Sequence, residues 1–443
     1  MKADRLAPAG LLRFTGWHML TTSLLLLGYM GYYICRSNWA VVTPLLLKEY
    51  ALMGLTMAHI QWISSFGLGM YMLGKVVNGI LGDFIGGKLM FVLGMVLSVV
   101  ATLYMGLALG FGTLFIGWGA NRLAQSMGWA ALVKSVARWF NYWHYGQIMG
   151  ILSLSYLFGD SLARIFLGYL IEDGFGWRGI FYFSAAVLST VALITWWMLP
   201  GSPEQKKLPP ARINPQNLFG EAGDKPQAYG MLRLIKPFFS HHAFWLVALM
   251  SFGLTGAREL INQWSVLYLE EISGMAAGMA ARYSAIFSFV GGISALIFGF
   301  GTDRWARGKR GALILGSMVL LLLISLAFYA AGQRSSLWAS LVGLGVVGFL
   351  LIGPYTFLAG AIALDLGAKK ASATAVGLID GAGYLGALSS GIVAAYLLRQ
   401  YTWNALFLLI ALLCSLTALA AFLYWRSYER ASKPAAAGGA TGE

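Results

Sequence analysis

Twelve apolar runs divide this chain: residues 17–47, 59–81, 88–110, 112–138, 146–171, 177–199, 241–269, 278–302, 311–332, 336–364, 371–398 and 402–425. A helix crosses a bilayer in about 20 apolar residues, so every run predicts one transmembrane helix. The pattern breaks at 201–240, where a run of prolines (Pro203, Pro209, Pro210, Pro215, Pro226) and six cations between Lys206 and Lys236 predict a solvent-exposed linker. The expected fold is an all-α membrane protein: a six-helix bundle over 1–200, a cytoplasmic linker over 201–240, a second six-helix bundle over 241–426, and a disordered cytoplasmic tail over 427–443.

With 58% of its 443 residues hydrophobic and 11% charged, the chain holds more apolar surface than a water-soluble interior could enclose. A net charge of +14 would suggest nucleic acid, but the cations concentrate on alternate loops. If the N-terminus is cytoplasmic, the inner loops and termini outnumber the outer loops (Lys48, Arg178, Arg282, Arg334, Arg399) by about four to one in Lys and Arg. Both termini therefore belong in the cytoplasm, and the expected location is a cell (inner) membrane. Lys2, Arg5 and Arg13 precede the first run with no small-residue cleavage site, which reads as the lead into a retained helix. Cys35 and Cys414 stand apart in apolar runs, so neither a structural disulfide nor a metal cluster is expected.

Five cations remain inside spans, Arg36, Lys75, Arg122, Arg164 and Arg258, against three acids, Asp160, Glu259 and Asp380. A guanidinium facing lipid costs about 2.5–3.5 kcal/mol or more, so such a group either snorkels to the headgroups or faces a polar cavity. A duplication favours the cavity. Gly79-Ile-Leu-Gly-Asp83 follows span two and Gly299-Phe-Gly-Thr-Asp303 follows span eight; Trp177-Arg-Gly-Ile-Phe181 and Trp403-Asn-Ala-Leu-Phe407 open spans six and twelve. The offsets, about 220 and 226 residues, relate two halves, and Arg36 then corresponds to Arg258 at an offset of about 222. Two unrelated snorkelling residues would not be expected at matched depths.

The two Gly-x-x-x-Asp loops resemble the signature of the major facilitator superfamily. Within it the chain is similar to the organophosphate:inorganic phosphate antiporter family, which includes glycerol-3-phosphate and hexose-phosphate transporters. The residues that carry this resemblance are Gly28-Tyr29-x-x-Tyr32-Tyr33-x-x-Arg36-x-Asn38, Lys75 four before Gly79, Gln125-Ser-Met-Gly128-Trp129 with Trp139-Phe140, Arg258 six before Trp264, Gly353-Pro354, and Lys369-Lys370 leading to Gly383-Tyr384-x-Gly386. The resemblance implies two pseudo-symmetric bundles, no enzymatic activity, and a substrate phosphate gripped by Arg36 and Arg258. Forked guanidinium groups suit that task because each can bind a phosphate bidentately. The chain departs from the family pattern at Ala130-Ala131, where two prolines are usual, and at Tyr156, where a histidine is common.

Lys75 is expected either to pair with Asp380 across the bundles or to touch substrate. Asp160 and Arg164, four apart on one helix, can neutralise each other. Arg122 is a third anion contact or a partner of Asp160 or Glu259. Tyr32 and Tyr33 either donate to the anion or pack, and Asp83 and Asp303 are expected as latches or caps. The function these readings favour is exchange of a small organophosphate for inorganic phosphate by alternating access, in a monomer with no cofactor and no nucleic-acid partner. Two alternatives stand beside it: a proton-coupled symporter of an organic anion, motivated by the three acids, and a membrane sensor of sugar phosphate.

Overall fold

The computed structural model describes residues 15–50, 56–225, 230–273, 277–306, 308–331, 337–401 and 403–430. The segment 1–14 and most of the expected tail, from 431 onward, lie outside the described residues. The first half consists of α1 (Gly16–Tyr50), α2 (Met57–Ile85), α3 (Gly87–Gly106), α4 (Phe111–Trp139), α5 (Tyr145–Glu172) and α6 (Trp177–Met198). A short amphipathic helix, α7 (Met231–Ser240), ends the linker. The second half comprises α8 (His242–Ser273), α9 (Ala277–Arg304), α10 (Arg310–Ala331), α11 (Leu337–Thr356), α12 (Ala363–Gln400) and α13 (Trp403–Tyr424). The described residues are otherwise turns and short helical segments, with no strand among them.

Span ten runs through α11 and a π-helical stretch, Phe357–Ile362, into the first residues of α12. The backbone leaves helical geometry at Ala368 and Ala371, and span eleven begins after that break. Non-helical dihedrals at Ala359 and Gly360 also free a backbone carbonyl inside the protein. Trp129 Nε1 of α4 donates to that carbonyl, on Ala359, at 2.8 Å. A kink at membrane depth needs such a partner, and here the other bundle supplies it.

Both halves use the same packing scheme. α1 lies against α5 and α6, α2 against α4, and α3 against α4 and α6; in the second half α8 lies against α12 and α13, α9 against α11, and α10 against α11 and α13. Leu193, Ile165, Leu323 and Leu419 stand exposed on the outward faces, where only lipid would cover them. The bundles meet along α2–α12 and α5–α9. Glycine makes each crossing possible: a Cβ on Gly79 would lie 2.7 Å from Gly377 Cα, and one on Gly299 would lie 2.6 Å from the Gly146 carbonyl oxygen. Such small-residue faces let membrane helices approach backbone to backbone.

The linker, exposed over much of its length, is nonetheless docked on the helices. Its backbone bonds to both halves: Tyr142 N donates to the Arg212 carbonyl at 3.0 Å, and Leu218 N donates to the Leu366 carbonyl at 3.0 Å. Asn214 donates to Asp365 at 2.9 Å, and Asp224 pairs with Lys369 at 2.8 Å. Leu234 and Phe238 of α7 are buried. The six cations of the linker, from Lys206 to Lys236, stay exposed.

Candidate functional site

Arg36 lies midway along α1. Its Nη1 donates to Tyr33 Oη at 2.8 Å, and its guanidinium carbon stands 4.9 Å from the Tyr33 ring centre and 4.5 Å from that of Tyr71. Arg258, on α8 in the other bundle, stands 4.3 Å over Tyr355 and contacts the neighbouring Glu259 carboxylate. The Nε of each arginine is buried without a hydrogen-bond partner. A chain of ring contacts, Tyr33 to Tyr29, Trp129, Tyr156 and Tyr355, leads from Arg36 to Arg258.

Lys75 of α2 and Asp380 of α12 join the bundles at 2.6 Å, with side chains only 3% and 7% exposed. A buried pair of this kind adds little net stability, but removing one partner leaves an uncompensated charge and costs about 3–5 kcal/mol. Arg122, on α4, meets neither Asp160 nor Glu259. Its guanidinium carbon lies 4.2 Å from the Tyr71 ring centre and 5.7 Å from that of Trp118, and no carboxylate pairs with it among the described residues.

Tyr71 is the residue that sequence reasoning missed. One ring, 1% exposed, has Arg36, Arg122 and, at 5.0 Å, Lys75 against it, while Tyr384 meets it edge-on at 5.1 Å. Its position one helical turn before Lys75 was the available signal. Each cation over an aromatic face gains about 0.5–2 kcal/mol, which helps hold several like charges close together.

The other residues singled out in the sequence lie away from this cluster or seal its end. Tyr32 turns into its own bundle, where its hydroxyl donates to the Phe91 carbonyl at 2.6 Å; that bond and near-complete burial remove it as an anion donor. Asp160 pairs with Arg164 at 2.9 Å and accepts from Ser37 at 2.6 Å, half-exposed at the flank of α5. Asp83 accepts from Ala373 N at 3.3 Å and Thr374 N at 2.7 Å, capping span eleven of the opposite bundle. Lys134, also missed, ties Asp83 at 2.6 Å to the Lys369 carbonyl at 2.5 Å. The duplicate arrangement has Asp303 accepting from Gly146 N at 3.1 Å and Gln147 N at 2.7 Å at the start of α5, with Arg310 beside it and bonded to Asp365. A carboxylate at a helix N-terminus satisfies free N–H groups and meets the positive end of the helix dipole.

These caps shut the linker side. The arginine-bearing helices α1 and α8 form no extended contact with each other among the described residues. No cluster of metal-binding side chains occurs among the described residues.

Two like six-helix bundles, tied by matching caps at one end and carrying buried cations in their helices, define a membrane transporter architecture. The chain belongs to the Major Facilitator Superfamily, whose sequence profile matches residues 25–359. Among curated proteins it is similar to a probable hexose phosphate transport protein of Chlamydia pneumoniae, 25% identical over 94% of this chain and 93% of the relative. It is also similar to the glycerol-3-phosphate transporter of Bacillus subtilis, 23% identical over 91% of each chain. A further relative is the membrane sensor protein UhpC of Salmonella typhimurium, 25% identical over 92% of this chain and 91% of the relative. The fold matches the outward conformation of FucP with a TM-score of 0.69 at 14% identity, over 92% of this chain and 99% of that one.

Proposed function

We propose that the chain is a secondary active transporter of a cell (inner) membrane that exchanges a small organophosphate for inorganic phosphate. The observation that carries this is the arginine pair, one guanidinium from each bundle, each with a buried Nε–H unused. Phosphate bound between them would receive charge-assisted hydrogen bonds from both halves. With the site empty the two cations repel, so a bound anion lowers the cost of bringing the arginine-bearing helices together. If the empty carrier reorients poorly, exchange follows rather than net flux. The linker and both termini are taken as cytoplasmic, which makes the capped end the cytoplasmic one. Similarity to hexose-phosphate and glycerol-3-phosphate transporters supports the substrate class.

The three intramembrane acids lend no support to proton-coupled symport, because each is engaged by a cation: Asp160 by Arg164, Glu259 by Arg258 and Asp380 by Lys75. Similarity to a membrane sensor keeps one second reading, binding without transport. Counterflow separates the three. Proteoliposomes loaded with phosphate should take up labelled organophosphate faster than empty ones. Uptake driven only by a pH gradient would favour symport, and ligand binding with no flux would favour the sensor.

A further inference from the structure

The bundles share one plan, yet away from the linker their cores are filled differently. In the first half Trp39 and Trp118 stack at 5.3 Å between ring centres, and Leu114 and Phe181 are fully buried in the same core. In the second half the matching region holds a cavity of about 90 Å³ between α8, α10, α11 and α13. The register is set by glycines: a Cβ on Gly119 would meet Phe66, and one on Gly345 would meet Ile286. That places α4 against α11 at the offset of about 226 that also relates Trp177 to Trp403. Leu344, Ser340 and Phe407, all lining the cavity, then stand where the first core has Trp118, Leu114 and Phe181. Trp264, where α1 has Val42, restores only part of the lost bulk. The cavity also lies where α10 and α11 touch little, because α10 packs mainly on α13 whereas α3 packs mainly on α4.

Two polar groups interrupt this apolar wall. Trp264 Nε1 and Ser340 Oγ are both buried without a hydrogen-bond partner among the described residues, and Ser340 is only 4% exposed. Ser325, which also lines the cavity, is satisfied by the Leu321 carbonyl at 2.8 Å. A buried donor without an acceptor is costly, so an occupant that supplies one is favoured over an acyl chain that fills the volume alone. An anion is excluded, since no charged residue lines the cavity. We propose that this cavity is a binding site for a small neutral phenol-like molecule, its ring against the aromatic wall and its hydroxyl at Trp264 and Ser340. Apolar cavities of this order hold single aromatic rings. The site shares no residue with the arginine pair and does not rest on the exchange function.

The test follows the fluorine resonance of 4-fluorophenol, and of 4-fluorotoluene, which lacks the hydroxyl, with the full chain in detergent. Ser340→Leu installs the residue of the first core and serves as the control for partition into the micelle. The wild-type protein should bind 4-fluorophenol saturably, and 4-fluorotoluene about tenfold more weakly or worse, as expected for the loss of one or two hydrogen bonds. Ser340→Leu should abolish saturable binding. Trp264→Phe combined with Ser340→Ala keeps the cavity without its polar groups and should bring the two compounds within about threefold of each other. Absence of saturable wild-type binding, or equal binding in Ser340→Leu, would overturn the proposal. So would parity of the two compounds in the wild type, or an undiminished preference in the double variant, which decides the matter alone if Ser340→Leu does not fold. Displacement of 4-fluorophenol by 1-hexanol as readily as by unlabelled phenol would assign the cavity to an alkyl chain instead and overturn the aromatic class.

Discussion

Tyr71 shares one ring among three cations, so its aromatic face and not its hydroxyl is the useful part. Tyr71→Phe should therefore keep near-normal exchange, whereas Tyr71→Leu should raise the apparent KM by about tenfold as the cations lose about 0.5–2 kcal/mol each. Initial-rate counterflow at varied substrate checks both. Replacing Arg36 or Arg258 with lysine removes the fork and one or more charge-assisted bonds of about 1.5–3 kcal/mol, so transport should fall roughly ten- to hundredfold. Near-normal exchange by either variant would remove that residue from the site. Asp380→Asn strands Lys75 and should destabilise the fold by about 3–5 kcal/mol, and adding Lys75→Met should recover much of it. Thermal unfolding in detergent measures both. Arg36 stands out in the sequence because it is a lone cation within an apolar run. Tyr71 does not: it is one of 21 tyrosines, and only the convergence of α1, α2 and α4 gives its ring three charged neighbours.

At the level of helices, apolar run length was enough to locate the spans, because the bilayer sets that length directly. What escaped was irregular backbone. The π-helical turn at Phe357–Ile362 and the docked linker both depend on contacts with distant elements, and composition carries no record of those. The glycine crossings were visible as motifs, but their role required the facing helix. Gly79→Leu inserts a branched side chain where even a Cβ would lie 2.7 Å from Gly377. It should hold the bundles apart on the linker side, and a cysteine placed near Asp83 should then react faster with a thiol reagent applied from that side. An unchanged labelling rate would mean that α2 and α12 absorb the added bulk without separating.

Over the whole molecule, duplication repeats one device: an aspartate from the end of α2 or α9 caps a helix start in the opposite bundle. Either cap alone should hold the linker side weakly, so Asp83→Asn and Asp303→Asn singly should reduce exchange less than both together. The linker crosses the same closed end, and its backbone at Arg212 is held by Asn141 and Tyr142 of the first half, while Leu218 is held by the second. A peptide bond pinned in this way cannot enter a protease cleft. Trypsin should cut after Arg212 slowly while that end is shut and quickly once it parts, so the tether would act as a built-in gauge of which way the carrier faces.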